Sequence, residues 1–178
     1  MLIIKFEPMD LEDKKWFVLR TKSRAEKLVS ARLDAIGVVN YLPLYHVVKQ
    51  WKDRKKRVED VLIKGYVFVH VCYKERTVVY DIVGVSNYLF VNGKIAEIKA
   101  KEIENLKIFC KFDDIIIDSL TPRKGVEVEI IAGELCGFKG FIREDAKGKF
   151  VCLHIGELGF FASIRICKLD VRLLKSVG

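Results

Sequence analysis

The sequence predicts an α+β domain, an antiparallel sheet with packed helices, followed by a small all-β barrel. Three observations carry this. Over the first part of the chain, β-branched runs alternate with helical apolar spacing in the order β-α-β-β-α-β-α. After Lys124 the apolar runs have strand period only, and five short strands suit a small closed barrel. Between these regions Asp113, Asp114 and Asp118 interrupt an Ile-rich stretch, and Thr121 to Lys124 reads as a connector around Pro122. The expected division is residues 1–110, a linker at 111–122, and residues 123–178.

Residues 15–20 read as a short buried strand. Ser23 and Glu26 fit a capping box that opens a helix. Ala25, Leu28, Val29, Leu33 and Ile36 share its apolar face, Arg24 and Lys27 the solvated one, and Gly37 is the left-handed stop. Residues 38–48 read as a strand. Pro43 cannot donate to a ladder, so that strand lies at an edge or carries a bulge. The charged run from Trp51 to Arg57 is a protruding hairpin tip. Residues 61–72 form one strand around Gly65, and residues 74–81 a short helix. Tyr88 to Val91 is a strand closed by an Asn92-Gly93 turn. Residues 99–110 are helical, with Ile103, Leu106 and Cys110 on one face. The later strands fall at 125–131, 138–143, 150–154, 160–166 and 169–174.

At 178 residues and 51% hydrophobic, the chain is long and apolar enough for one ordinary domain or two small ones. No apolar run reaches the roughly 18–20 residues that span a membrane. The start lacks the features of a signal peptide, so a cytoplasmic protein is expected. The five cysteines form no Cys-x-x-Cys pair and are expected to be small buried hydrophobes; no metal or other cofactor is expected.

The net charge of +8 is unevenly spread. Residues 14–57 hold 13 Lys/Arg and 3 Asp/Glu, so they carry the whole excess and favour a polyanionic partner. His46, His70 and His154 form no catalytic arrangement, and there is no P-loop or dinucleotide fingerprint, so an enzyme is not expected.

Two stretches carry a family resemblance. Residues 126–133, Val-Glu-Val-Glu-Ile-Ile-Ala-Gly, followed by Gly137-Phe-Lys-Gly140-Phe-Ile142, resemble the KOW motif of SH3-like barrels. Residues 16–20 (Trp-Phe-Val-Leu-Arg), the basic helix, Tyr41-Leu-Pro-Leu44, Gly65-Tyr-Val-Phe-Val69 and Gly84-Val-Ser86 resemble the NusG N-terminal (NGN) domain. Together the chain resembles a NusG-family elongation factor. The Lys-rich excursion at 52–57 and the turn Glu157-Leu-Gly159 are closest to specialised paralogues such as the UpxY-like antiterminators of capsule operons.

The resemblance implies binding to the clamp helices of RNA polymerase and suppression of pausing or termination at specific operons. By family position, Ile63, Tyr66 and Phe68 are the clamp-binding patch, and Arg76 and Thr77 face the polymerase gate loop. The non-template DNA strand falls to Lys22 and Arg32 with Arg24 and Lys27. The excursion adds Lys52, Arg54, Lys55, Lys56 and Arg57. Leu135, Phe138 and Leu158 are the positions through which a KOW barrel binds ribosomal protein S10 or termination factor Rho. A monomer is expected. The competing reading is a KOW-containing RNA-binding module associated with the ribosome.

Overall fold

A computed structural model describes residues 14–51, 53–112, 115–118, 126–146, 148–155 and 159–174. By internal contact the chain divides into two units. One comprises 1–42 with 65–99, the other 43–64 with 100–178. Residues 43–64 and 100–110, both expected in the N-terminal domain, thus group with the C-terminal strands.

The first unit is built around β1 (Lys15–Thr21). It pairs antiparallel with β5 (Tyr66–Val71) on one side and β6 (Val85–Tyr88) on the other. The short β2 (Asn40–Tyr41) lies outside β5, and β9 (Glu97–Ile98) pairs with the start of β1. Alternation sends Phe17 and Leu19, with Val67, Val69 and Val71, to one face. There they join Val29 and Leu33 of helix α1 (Glu26–Ala35) in the core. Burying each such side chain contributes about 1.5–3 kcal/mol. Tyr88 enters the same core, and its hydroxyl donates to the Arg76 carbonyl at 3.0 Å; burial pushes its pKa up.

Helix α1 differs from expectation at its start. Ala25 is the N-cap and no side chain caps it. Ser23 and Arg24 form a turn, Arg24 at φ 60°, and buried Glu26 accepts the Gly65 N–H at 2.7 Å instead of returning to the helix end. A tertiary donor has outcompeted the local one. Leu28 and Ile36 are exposed, so the apolar stripe is narrower than its spacing suggests. Gly37 ends the helix as expected, at φ 75°, donating to Asp34 at 3.0 Å.

Residues 74–81 form a 3₁₀ segment, Lys74–Asp81. Asn92 and Gly93, both at positive φ, join β7 (Phe90–Val91) to β8 (Lys94–Ile95). That is the two-residue turn expected of this dipeptide.

In the second unit, β3 (Leu44–Gln50) and β4 (Lys55–Val61) make a two-stranded hairpin. Pro43 thus splits the expected 38–48 strand into β2 and β3, which belong to different sheets. The expected 61–72 strand is also two strands, separated by a turn at 62–65 with Gly65 at φ 82°.

Helix α2 (Ala100–Phe109) buries Ile103, Leu106 and Phe109. Phe109, rather than Cys110, completes the stripe, and its ring meets Phe138 edge-on at 5.7 Å. The five expected C-terminal strands form as β11 (Glu127–Ile130), β12 (Lys139–Asp145), β13 (Gly148–Ile155), β14 (Phe160–Arg165) and β15 (Val171–Leu173). A sixth, β10 (Ile116–Asp118), comes from the expected linker and pairs with β14. Its isoleucines are strand formers, and an open edge was available to them. The order is β10-β14-β13-β12-β11-β15. Of the cysteines only Cys152 is buried; Cys136 and Cys167 are exposed, contrary to expectation.

Candidate functional site

Two surfaces of the first unit and one of the second hold most of the expected site residues. Opposite the α1 face of the first sheet, register sets Trp16 against His70, Val18 against Phe68, and Arg20 against Tyr66. The Trp16 and His70 rings stack at 4.9 Å, and Tyr41 lies 6.3 Å from Phe68. Tyr66 is half-buried, whereas Phe68 is 0% exposed. Phe68 is therefore core rather than an open patch. Ile63, expected to be exposed, is 2% exposed and belongs to the second unit. There it lines a groove of about 470 Å³ with Tyr45, Val61, Ile115, Ile117 and Phe160. An isoleucine beside an Ile-rich strand gains more from burial than from exposure.

The second surface is the start of α1 and the loop facing it. The Lys22 N–H donates to the Gly84 carbonyl at 2.8 Å, and the Arg32 guanidinium donates to the Val83 carbonyl. Both expected DNA-reading residues therefore bracket one loop, held close because a Cβ on Gly84 would come within 2.9 Å of Val29. Lys22, Arg24 and Lys27 are exposed; Arg32 is half-buried. Arg32 thus stays on its own unit.

Arg76 is half-buried and packs on two aromatic rings. Its guanidinium lies 3.6 Å from the Tyr73 ring centroid and 5.3 Å from that of Phe17, a cation–π arrangement. Thr77 is exposed beside it. Sequence reasoning missed the neighbouring cleft, where exposed Tyr73 and Phe90 join Lys15, Arg76 and Glu97 around about 410 Å³. Tyr73 and Phe90 adjoin apolar strand-like runs, so their residue type pointed to the core rather than to a cleft.

The third surface is the β3–β4 hairpin. Arg54 lies in its turn, while Lys55, Lys56 and Arg57 are strand residues of β4, and all four are exposed. Lys52 lies outside the described residues, as does Leu158. Lys49 forms a 2.8 Å ion pair with Asp60 and, by donating to it, holds that carboxyl below the usual range. Burial, and then the Asp60 charge, push Tyr45 up.

Of the expected loop residues on the C-terminal sheet, Leu135 is 1% exposed and Phe138 is half-buried against Phe109. Leu135 was expected to be open. It is a core residue, because the turn at 132–137 folds back so that Gly137 donates to Ile130 at 2.8 Å. Among the described residues no group of His, Cys, Asp and Glu could hold a metal ion, and no helix is long and apolar enough to cross a membrane.

Comparison with known proteins agrees with this architecture. A family model described as "Transcription termination factor nusG" matches residues 14–107, more than half the chain. Among solved structures, "Domain interaction in Thermotoga maritima NusG" is similar at TM-score 0.54 and 21% identity, over 88% of this chain and 96% of that one. An MjSpt4:Spt5 complex aligns at TM-score 0.29 and 23% identity, over 89% of this chain and 97% of that one. No curated protein sequence matches the chain. A family match across β1, α1 and the first sheet, on an α+β fold shared with a solved NusG, places the chain in the NusG family of transcription factors.

Proposed function

We propose that the chain is a transcription elongation factor that binds RNA polymerase and suppresses pausing or termination at specific operons, as a specialised NusG paralogue. The observation that carries this reading is the pairing of an aromatic sheet face, Trp16, Tyr66 and His70, with a separate basic surface at Lys22, Arg24 and Lys27. The first suits a protein partner and the second suits phosphate.

Tyr66, half-buried, is the most accessible of the three residues assigned to clamp docking. Ile63 is buried where it stands, so its participation requires the groove beside Ile115 and Ile117 to open. Arg76 and Thr77 are assigned to a gate-loop contact, and Lys22 with Arg32 to the non-template strand. The five strands β11 to β15 are read as a KOW-type SH3-like barrel that reaches ribosomal protein S10 or Rho through Phe138 and Leu158, with Leu135 buried beneath them. Residues 1–110 and 123–178 are proposed as separate folding domains against the contact grouping, in which 43–64 and 100–110 join the C-terminal strands and β10 pairs with β14; limited proteolysis cutting within 111–124 supports the division, and cuts confined to the barrel count against it.

The deciding test is a pull-down with RNA polymerase. Tyr66→Asp abolishes binding while the melting curve stays native. Ile63→Asp with Tyr66→Asp is the stronger variant, and its unfolding would mark Ile63 as core alone. Lys22→Ala with Arg32→Ala reduces operon-specific antitermination on a paused template and spares polymerase binding. Wild-type binding by Tyr66→Asp removes the clamp assignment.

A further inference from the structure

The β3–β4 hairpin carries a side chain that neither the fold nor the cationic surface accounts for. Residues 49–57 hold six Lys/Arg and one Asp, and in their midst stands Trp51, 56% exposed. Pairing fixes what it stands beside. Val47 lies opposite Val58 and Lys49 opposite Lys56, and Trp51 extends the ladder by donating its N–H to Arg54 at 2.8 Å. Side chains alternate along a strand, so Trp51 and Arg54 share a face with Lys49 and Lys56. Further down, that face continues through half-buried Val47 and Val58 to Tyr45 and Asp60. It therefore runs from acidic and apolar at its base to basic and aromatic at its tip. Lys49 is engaged by Asp60, while Arg54 and Lys56 are exposed.

We infer that this hairpin tip binds single-stranded nucleic acid, with Trp51 stacking on a base and Arg54 and Lys56 on the flanking phosphates. Charge complementarity selects a polyanion, and the indole selects among polyanions. In a duplex both faces of each base are covered by neighbouring pairs, whereas an unpaired strand offers them to an aromatic ring. Stacking is sequence-tolerant because every base has a π-face. The inference rests on the proposed reading in one respect only: it adds to the non-template-strand contact proposed for Lys22 and Arg32 a stacking contact at the hairpin tip.

The test uses the full chain, a fluorescein-labelled oligothymidylate of about 20 nucleotides and a duplex of equal length, read by anisotropy across a salt series. The wild type prefers the single strand. Trp51→Ala weakens single-strand binding by about tenfold and leaves duplex binding and the salt slope unchanged. Trp51→Phe retains most of the affinity. Arg54→Ala with Lys56→Ala weakens both substrates and flattens the slope. Trp51 is exposed, so a native melting curve for its variants is expected and is checked first.

Undiminished oligothymidylate binding by Trp51→Ala overturns the inference, as does equal loss on both substrates. Loss of polymerase binding in Trp51→Ala without loss of oligothymidylate binding also overturns it, because Trp51 is then a protein contact. A wild-type chain that prefers the single strand but fails to capture polymerase sinks the elongation-factor reading and leaves this inference standing.

Discussion

Strands β4 and β5 leave the same turn at 62–65 and meet opposite fates. β5 is paired on both sides, by β1 and β2, and buries Val67, Phe68, Val69 and Val71. Among the described residues β4 pairs with β3 alone, and it exposes Lys55, Lys56 and Arg57. Composition already separates them in part, since β5 (Tyr-Val-Phe-Val-His-Val) is β-branched and aromatic while β4 (Lys-Lys-Arg-Val-Glu-Asp-Val) is mostly charged. The structure adds the number of hydrogen-bonded neighbours and the layer that covers the strand. A two-stranded ribbon has little interior of its own, and its charges keep its open edges from pairing with other chains. One strand thus carries stability and the other is free to carry contacts.

The comparison makes predictions of decreasing size. Phe68→Ala should cost about 3–5 kcal/mol in urea unfolding, whereas exposed Val48→Ala on β3 should stay within about 0.5 kcal/mol. Equal costs would show that the hairpin shares the core's stability. Gly140→Ala should cost about 1–3 kcal/mol, because the added Cβ would meet the Cys152 carbonyl oxygen at 2.5 Å and Leu153 at 2.8 Å across the β12–β13 pair. A neutral result there would mean that these two strands can spread without loss.

The smallest effect is electrostatic. The hydrogen bond from Lys49 lowers the Asp60 pKa in the folded state. Its stabilisation is therefore present at neutral pH and is lost as pH falls through that lowered pKa. For an ion pair this exposed the contribution is at most about 1 kcal/mol. Protection factors of the β3 and β4 amides, corrected for the intrinsic pH dependence of exchange, should fall on acidification, and Asp60→Asn should remove that part of the pH dependence. Unchanged exchange would detach the hairpin's stability from this pair.

Local signals were legible where the physics is local. Asn92-Gly93 and Gly37 supply positive φ at low cost, and each stands where a turn or a helix end requires it. The C-terminal strands followed from alternation alone. The Ser23–Glu26 box failed because Glu26 found the Gly65 N–H, 39 residues away in sequence. Pro43 was read as a strand defect and is a boundary between sheets. The site residues divide the same way. Lys22, Arg24, Lys27 and Arg54 to Arg57 are charged, so their surface position was readable, but the burial of Ile63, Phe68 and Leu135 was not. An apolar residue in a patch and one in a core look alike in sequence.

By itself the sequence determined the α+β order of the first region, the all-strand pattern of the last, and a basic excess confined to residues 14–57. These depend on side-chain period and charge, which each segment carries wherever it goes. The tertiary structure alone decided that Ile116 to Asp118 would edge the C-terminal sheet, that Arg32 would turn to the Val83 carbonyl, and that Trp51 would share a face with Lys49 and Lys56. Those outcomes depend on pairing register and on which distant donors and edges remain open, and neither exists until the chain has folded.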